Sequence, residues 1–436
     1  MGKQQLAFVL DYLKKVTEMP ESEITISDSE GFSVDVRNGD VDVLEHHRDK
    51  SVDVTVYIDG AQGSASTSDL SEAALQQTVQ AAVNIAKHTQ ADPCNGLAEK
   101  DELAFDYPDC ELNHPWGITP EQAIEEAKAC EAAAFAYDKR ICNSDGVHLS
   151  THSANHIYAN SHGFVGEYSS TKHFLNCSMI AKDANGMQRE SAYTISRDAD
   201  TLQSFKQIGE QAAKRTLSRL GAKAINTQQS PVLFTPEVAR GLLGHFVGAI
   251  RGGSLYRKSS FLLDKLGESV FPDWVNVQEH PHIINALGSA PFDSDCVKTW
   301  DKDFVEAGVL KSYALGCYSA RQLGMKTTGN ANGVHNLSIG HTGQSFDDLL
   351  KQLHTGLLVT DVMGQGVNTT TGNYSRGASG FWVENGEIQF PVQEITIASN
   401  LADMYKGLMA VGSDTDTRGN LRTGSWLIDN MMIAGT

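Results

Sequence analysis

The chain has 436 residues, enough for two or three domains, each with its own core. It is 40% apolar and 20% charged, a globular composition, and its 35 Lys and Arg against 54 Asp and Glu leave a net charge of −19. That acidity argues against a direct grip on nucleic acid, whose phosphates need Lys and Arg, and against an anionic membrane surface.

The opening MGKQQLAFVLDYLKKVTEMP is amphipathic and predicts a helix over residues 3–18. Its apolar run is too short for a signal peptide, and no run of about 18 apolar residues occurs anywhere, so a cytoplasmic protein without a membrane span is expected. Cys94, Cys110, Cys130, Cys142, Cys177, Cys296 and Cys317 are scattered and form no C-x-x-C pair, which points away from a disulfide framework or a zinc ribbon.

Phe32, Val34 and Val36 alternate with polar residues, as do Val41 and Val43, and Asn38-Gly39 between them signals a hairpin. Val52, Val54, Val56 and Ile58 continue the alternation to Asp59-Gly60, so an antiparallel meander with one wet face is expected. Asp69 and Glu72 read as a capping box for a helix ending near His88. Residues 91–118 have no period and read as a long connection. Thr119-Pro120-Glu121-Gln122 starts a helix that should reach about Asp138. Residues 141–197 read as short strands with turns at Ser144-Asp145-Gly146, Ser161-His162-Gly163 and Asn185-Gly186. A helix over about 200–220 ends at Gly221, and KAINTQQS reads as a linker.

Beyond Pro231 glycine and short strands dominate. Ser345 and Asp348 cap a short helix ending near Gly356, and LLVTDVMG, GFWVENGEIQF, PVQEITIAS and SWLIDNMMIAG read as strands, with a turn at Asn385-Gly386. The fold class is therefore α+β: an N-terminal α/β-mixed region with antiparallel sheets and a β-rich C-terminal domain. The expected divisions are 1–118 (α+β), 119–225 (central strands and helices) and 226–436 (β-rich).

His148, His152, His156, His162 and His173 invite a metal reading. In a strand, residues four apart stand about 13 Å from each other, too far for one ion, so a polar sheet face is the plainer reading. His46-His47 and His280-Pro281-His282 read as surface or core-edge histidines. Gly364, Gly366, Gly372, Gly377 and Gly380 lack the G-K-[ST] end of a P-loop and form either a groove wall for an extended peptide or a set of tight turns. No G-x-S-x-G elbow is present, so Ser375 in NYSRGASG is read as structural.

The densest stretch is VARGLLGHFVGAIRGGSLYRKSSFLLDKLGE, from Val238 to Glu268. Thr235-Pro236 starts a small-residue helix carrying Gly241, Gly244 and Gly248, which should end at Gly252-Gly253. A zinc helix places two ligands a turn apart with a carboxylate base. Here His245 stands alone, with no His, Asp, Glu or Cys three to five residues away. Arg251, Arg257 and Lys258 form a small basic cluster behind it.

This stretch, with MGQGVNTTTGNYSRGASGFWVENGEIQFPVQEITIASNL, resembles the TldD/PmbA family, and the PmbA (TldE) branch in particular. The likeness is specific over 230–436 and rests upstream on domain order. The resemblance implies an H-E-x-x-x-H zinc helix in the TldD-type subunit. Counted onto this chain, its positions fall at Leu243, Gly244 and Gly248, and a further cysteine ligand falls close to Thr423. None of these can bind metal, so no catalytic residue, metal ligand or cofactor is expected in this chain, and zinc is expected in a TldD-type partner. The resemblance further implies a dimer (with that partner, or a homodimer when isolated), an unfolded-peptide substrate, and the family label of DNA gyrase modulator. Substrate contacts are assigned to His245, Arg251, Tyr374, Ser375 and Arg376. A stand-alone metallopeptidase with a site relocated around His245, and a peptide-binding modulator without chemistry, are the alternatives.

Overall fold

The computed structural model describes residues 2–16 and 21–435. Helix α1 (Gly2–Val16) leads to strands β1 (Glu21–Arg37), β2 (Asp40–Ile58) and β3 (Ala61–Thr67) and helix α2 (Glu72–His88); the end of the expected first helix lies outside the described residues. Asn38-Gly39 and Asp59-Gly60 make the two turns with φ of 53° and 81°, and 50° and 81°, the paired left-handed conformation of two-residue hairpins. Ser71, not Asp69, is the N-cap of α2: its hydroxyl accepts from Ala74 N, while Asp69 accepts from Ser71 N one turn earlier. Helix α3 (Pro120–Tyr137) starts at Thr119 with the full capping box to Gln122.

Strands β4 (Ile141–Asn160), β5 (Val165–Asp183) and β6 (Gly186–Ser196) precede helix α4 (Phe205–Ser218). These strands are long, not short as expected. Ser144-Asp145-Gly146 is no turn but a register irregularity inside β4, because a bulge absorbs an extra residue without ending the ladder. All six strands form one antiparallel sheet in the order β3-β2-β1-β4-β5-β6, so segments on both sides of residue 118 share it. Its apolar face carries two helix pairs. Ile24 and Ile26 pack with α1 and α2, and Phe32, Val34 and Val36 pack with α3 and α4.

Strand β7 (Gln228–Phe234) takes in the last residues of the expected linker and leads into α5 (Pro236–Ile250) and α6 (Gly252–Tyr256). Gly252-Gly253 therefore open a second short helix, with Arg251 extended between the two. There follow β8 (Val277–Glu279), β9 (Lys302–Glu306), β10 (Val309–Leu310), α7 (Cys317–Gln322), β11 (Leu337–Ile339), α8 (Phe346–Leu353), β12 (Gly356–Met363), β13 (Asn373–Glu384), β14 (Glu387–Asn400), α9 (Leu401–Lys406), β15 (Leu408–Val411), β16 (Leu421–Arg422) and β17 (Trp426–Ala434). Strands β14-β13-β12-β7-β17 close on themselves through pairs such as Ile397 with Ile433, which makes a barrel. A small sheet, β10-β9-β8-β11-β16, stands beside it. Helix α5 lies in the shared core: Leu242, Phe246 and Ile250 pack with barrel residues Phe234 and Trp426 and with Val277, Phe304 and Leu337 of the small sheet.

The expected connection over 91–118 is a packed strap. Ala98, Leu103 and Ala104 are buried with Phe164, Phe292, Cys296 and Cys317, and Arg321 donates to the carbonyls of Cys94, Gly96 and Leu97. It has no period because its backbone bonds are isolated local turns, such as Glu102 N to Glu99 O, and single ties to other elements, such as Ala104 N to Cys296 O. A second tie is ionic. Glu237 on α5 receives Arg215 of α4 at 2.9 Å and Arg418 at 2.7 Å.

Candidate functional site

Helix α5 forms because Pro236 pre-sets φ at its first position and its apolar residues recur at helical spacing. Val238, Leu242, Leu243, Phe246, Val247 and Ile250 are buried, which leaves Gly241, Gly244, His245 and Gly248 on the remaining face. A methyl group added at Gly241 or Gly248 would meet nothing within 4 Å, and one at Gly244 would only touch Leu421 Cδ1 at 3.5 Å. The three motif positions therefore part company. Gly248 faces open space, Gly244 lies against Leu421, and Leu243 is fully buried in the core.

Strand β16 brings Leu421 against this face, and Thr423 follows it. Thr423 is fully buried, its hydroxyl accepting from Trp426 Nε1 at 2.6 Å and donating to Gly424 O. Sequence reading gave no hint of Leu421, since a two-residue strand has no periodicity to detect.

His245 meets two of its proposed companions. Tyr374 presents its ring edge-on at 6.0 Å between centroids, and burial raises its hydroxyl pKa to about 12, against the opposing pull of Arg376. Burial lowers the His245 pKa, and the charge of Arg376 lowers it further. Arg376 is itself oriented by donating to Met363 O at 3.1 Å. Ser375 does not join them. It is exposed between two less exposed neighbours, and its N–H donates to Gly366 O. Arg251 is exposed at the end of α5. The glycine-rich segment admits this chain's own backbone: a methyl at Gly366 would lie 1.8 Å from Ser375 O, and one at Gly380 1.8 Å from Leu358 O.

A zinc ion does not fit this donor set. Leu243 points into apolar core, glycine has no side chain, the Thr423 hydroxyl is committed to Trp426, and the one imidazole is beside a guanidinium. Among the described residues, no group of three or more His, Cys, Asp or Glu is placed to share a metal ion.

His148, His152, His156 and His173 sit on strands, where His148, His152 and His173 pair across strands, while His162 lies in the turn between β4 and β5 and reaches the strap. His148 Nδ1 is 2.9 Å from Asp35, His173 Nδ1 is 2.8 Å from Thr151, and His162 Nδ1 is 2.9 Å from Ala98 O. His152 reaches His47 rather than His156, with 3.2 Å between His47 Nε2 and His152 Nδ1.

A barrel-bearing C-terminal half joined to a long antiparallel sheet with two helix pairs, with a helix at the heart of the former, makes an α+β protein with two separate sheet systems. The chain belongs to the PmbA/TldD metallopeptidase family. It matches the models of PmbA/TldA metallopeptidase domain 1 over residues 22–86, of the central domain over 113–220, and of the C-terminal domain over 227–435. It is 49% identical to Metalloprotease PmbA of Escherichia coli O157:H7 over 95% of this chain and 92% of that protein. It is 47% identical to the Metalloprotease PmbA homolog of Haemophilus influenzae over 99% and 96% of the two. The Metalloprotease TldD homolog of the same organism matches at 26% over 48% of this chain and 46% of that protein. A crystal structure from Bacteroides thetaiotaomicron described as a modulator of DNA gyrase superposes with a TM-score of 0.94 at 26% identity, covering 100% of this chain and 99% of that one. Among the described residues, no helix is long and apolar enough to cross a membrane.

Proposed function

We propose that this chain is the non-catalytic subunit of a cytoplasmic TldD/TldE-type zinc metallopeptidase, paired with a zinc-bearing TldD-type subunit and helping to hold an unfolded peptide. The observation that carries this reading is the open face of α5. It keeps the helix of the family architecture but offers Gly244 and Gly248 where a base and a ligand are needed, with Leu243 turned into the core. Metal-assisted hydrolysis needs a bound water of lowered pKa and a group to take its proton, and neither glycine nor leucine supplies one. That one organism holds both a PmbA homolog and a TldD homolog related to this chain is consistent with two subunits that divide the labour. The glycine face, Arg376 and His245 would contact the peptide, with the buried Tyr374 packed against His245: bare glycines admit a backbone closely, and a guanidinium suits a carboxylate or carbonyl.

The test is peptide cleavage by the pure chain, alone and mixed with a TldD-type partner. Cleavage only in the mixture is expected. Cleavage by the chain alone, abolished by His245→Asn, would establish the relocated-site alternative instead. The Arg376 charge counts against that alternative, because a cation beside the imidazole disfavours a second cation on it.

A further inference from the structure

The sheet formed by β1–β6 holds a two-histidine pair that the reading above leaves unused. His47 on β2 and His152 on β4 are both register partners of Gly31 on the strand between them. Side chains normally keep such residues apart, two strand spacings from each other. Gly31 removes the obstacle: a Cβ there would lie 2.8 Å from His47 Nε2. The two rings lean over the glycine with centroids 5.4 Å apart and nitrogens at 3.2 Å. A zinc ion bound to two imidazoles at about 2.0–2.1 Å each, near a tetrahedral angle, spaces their nitrogens by roughly 3.3 Å.

We propose that His47 Nε2 and His152 Nδ1 bind one divalent transition-metal ion of the kind that prefers imidazole, such as zinc or nickel, with water completing its shell. The ion would replace the hydrogen bond between the rings and staple β2 to β4 across β1. Lys172, the register partner of His152 on β5, is a cation that opposes binding there, and Asp49 partly offsets it. The site shares no residue with α5 and stands whether or not the chain acts with a catalytic partner.

The test is calorimetric titration of zinc, and separately of nickel, into the full-length, tag-free, chelator-stripped protein, with cobalt absorption as a second readout. One site per chain is expected, lost or weakened at least tenfold in His47→Gln and in His152→Gln and unchanged in His245→Asn. Each variant's melting temperature in chelator checks that it is folded, and zinc should raise the melting temperature of the wild type but not of the two variants. No saturable binding, or binding indifferent to both histidine variants, would overturn the proposal. Zinc binding lost only in His245→Asn would overturn both this proposal and the non-catalytic reading of α5, which keeps the two failures distinguishable.

Discussion

Leu243 and Gly244 are adjacent on α5 but face different surroundings: the first is wholly buried, and a Cβ on the second would meet only Leu421 Cδ1, at 3.5 Å. This divergence decides what restoring the motif would do. The triple variant Leu243→His, Gly244→Glu, Gly248→His should not create a zinc enzyme. The new imidazole at 243 would point into the core, away from the other two side chains, and removing the buried leucine costs about 2–5 kcal/mol before any polar burial is counted. Metal analysis and a melting curve check this. A stable triple variant with zinc bound at α5 and peptide cleavage would refute it.

Glu237 joins α4 to the segment after β15 through Arg215 and Arg418. Burial raises its pKa, but the two guanidinium groups outweigh that and hold it below the ordinary carboxylate value. A depressed carboxylate pKa contributes stability above the unfolded value, and that contribution is lost as pH falls through the carboxylate range. Glu237→Gln should therefore cost about 2 kcal/mol at neutral pH, since hydrogen bonds to charged groups contribute on that scale. The deficit should shrink below about pH 4, where the wild-type carboxyl protonates as well. Denaturant melts of both proteins at about pH 7 and about pH 3 measure it.

The histidines give the opposite end of the pH range. Burial is the first cause of the lowered pKa of His245, His152, His156, His173 and His335. A histidine held neutral when folded takes up its proton more readily when unfolded, so stability is full above about pH 6.5 and falls as pH drops below it. Stability should decline measurably between about pH 6.5 and 5, and His245→Phe should flatten part of that decline. An unchanged slope would show that the His245 ring is already protonated or freely solvated.

Much of this architecture was legible in the chain. The hairpins at Asn38-Gly39, Asp59-Gly60 and Asn385-Gly386 and the caps at Thr119 and Ser345 are local chemistry, set by backbone conformation and one or two side chains. The His47–His152 pair was not legible. It depends on the register of three strands and on a glycine between them, and pairs far apart in sequence leave no local trace. The strap over 91–118 was missed for the same reason: its order comes from partners such as Phe292 and Arg321, some two hundred residues away. At α5 the motif count pointed to Leu243, Gly244 and Gly248, but gave no sign that Leu243 faces the core.

The glycines of α5 separate stability from function. A glycine inside a helix costs up to about 1 kcal/mol relative to alanine, and nothing stands within 4 Å of a Cβ at the exposed Gly241 or the half-buried Gly248. Gly248→Ala should raise the melting temperature, and Gly241→Ala should do the same. Gly380→Ala should lower it, because a methyl there would lie 1.8 Å from Leu358 O. If α5 is only a retained scaffold, Gly248→Ala and the bulkier Gly248→Leu will leave peptide cleavage by the mixed complex unchanged. If the bare face admits a peptide backbone, Gly248→Leu will raise KM for the peptide by about tenfold while the fold stays intact, since about 1.4 kcal/mol of lost contact is a factor of ten. Cleavage kinetics of the mixed complex, set beside the melting temperature of each variant, distinguish the two, because a folding defect would lower kcat and stability together and leave KM in place.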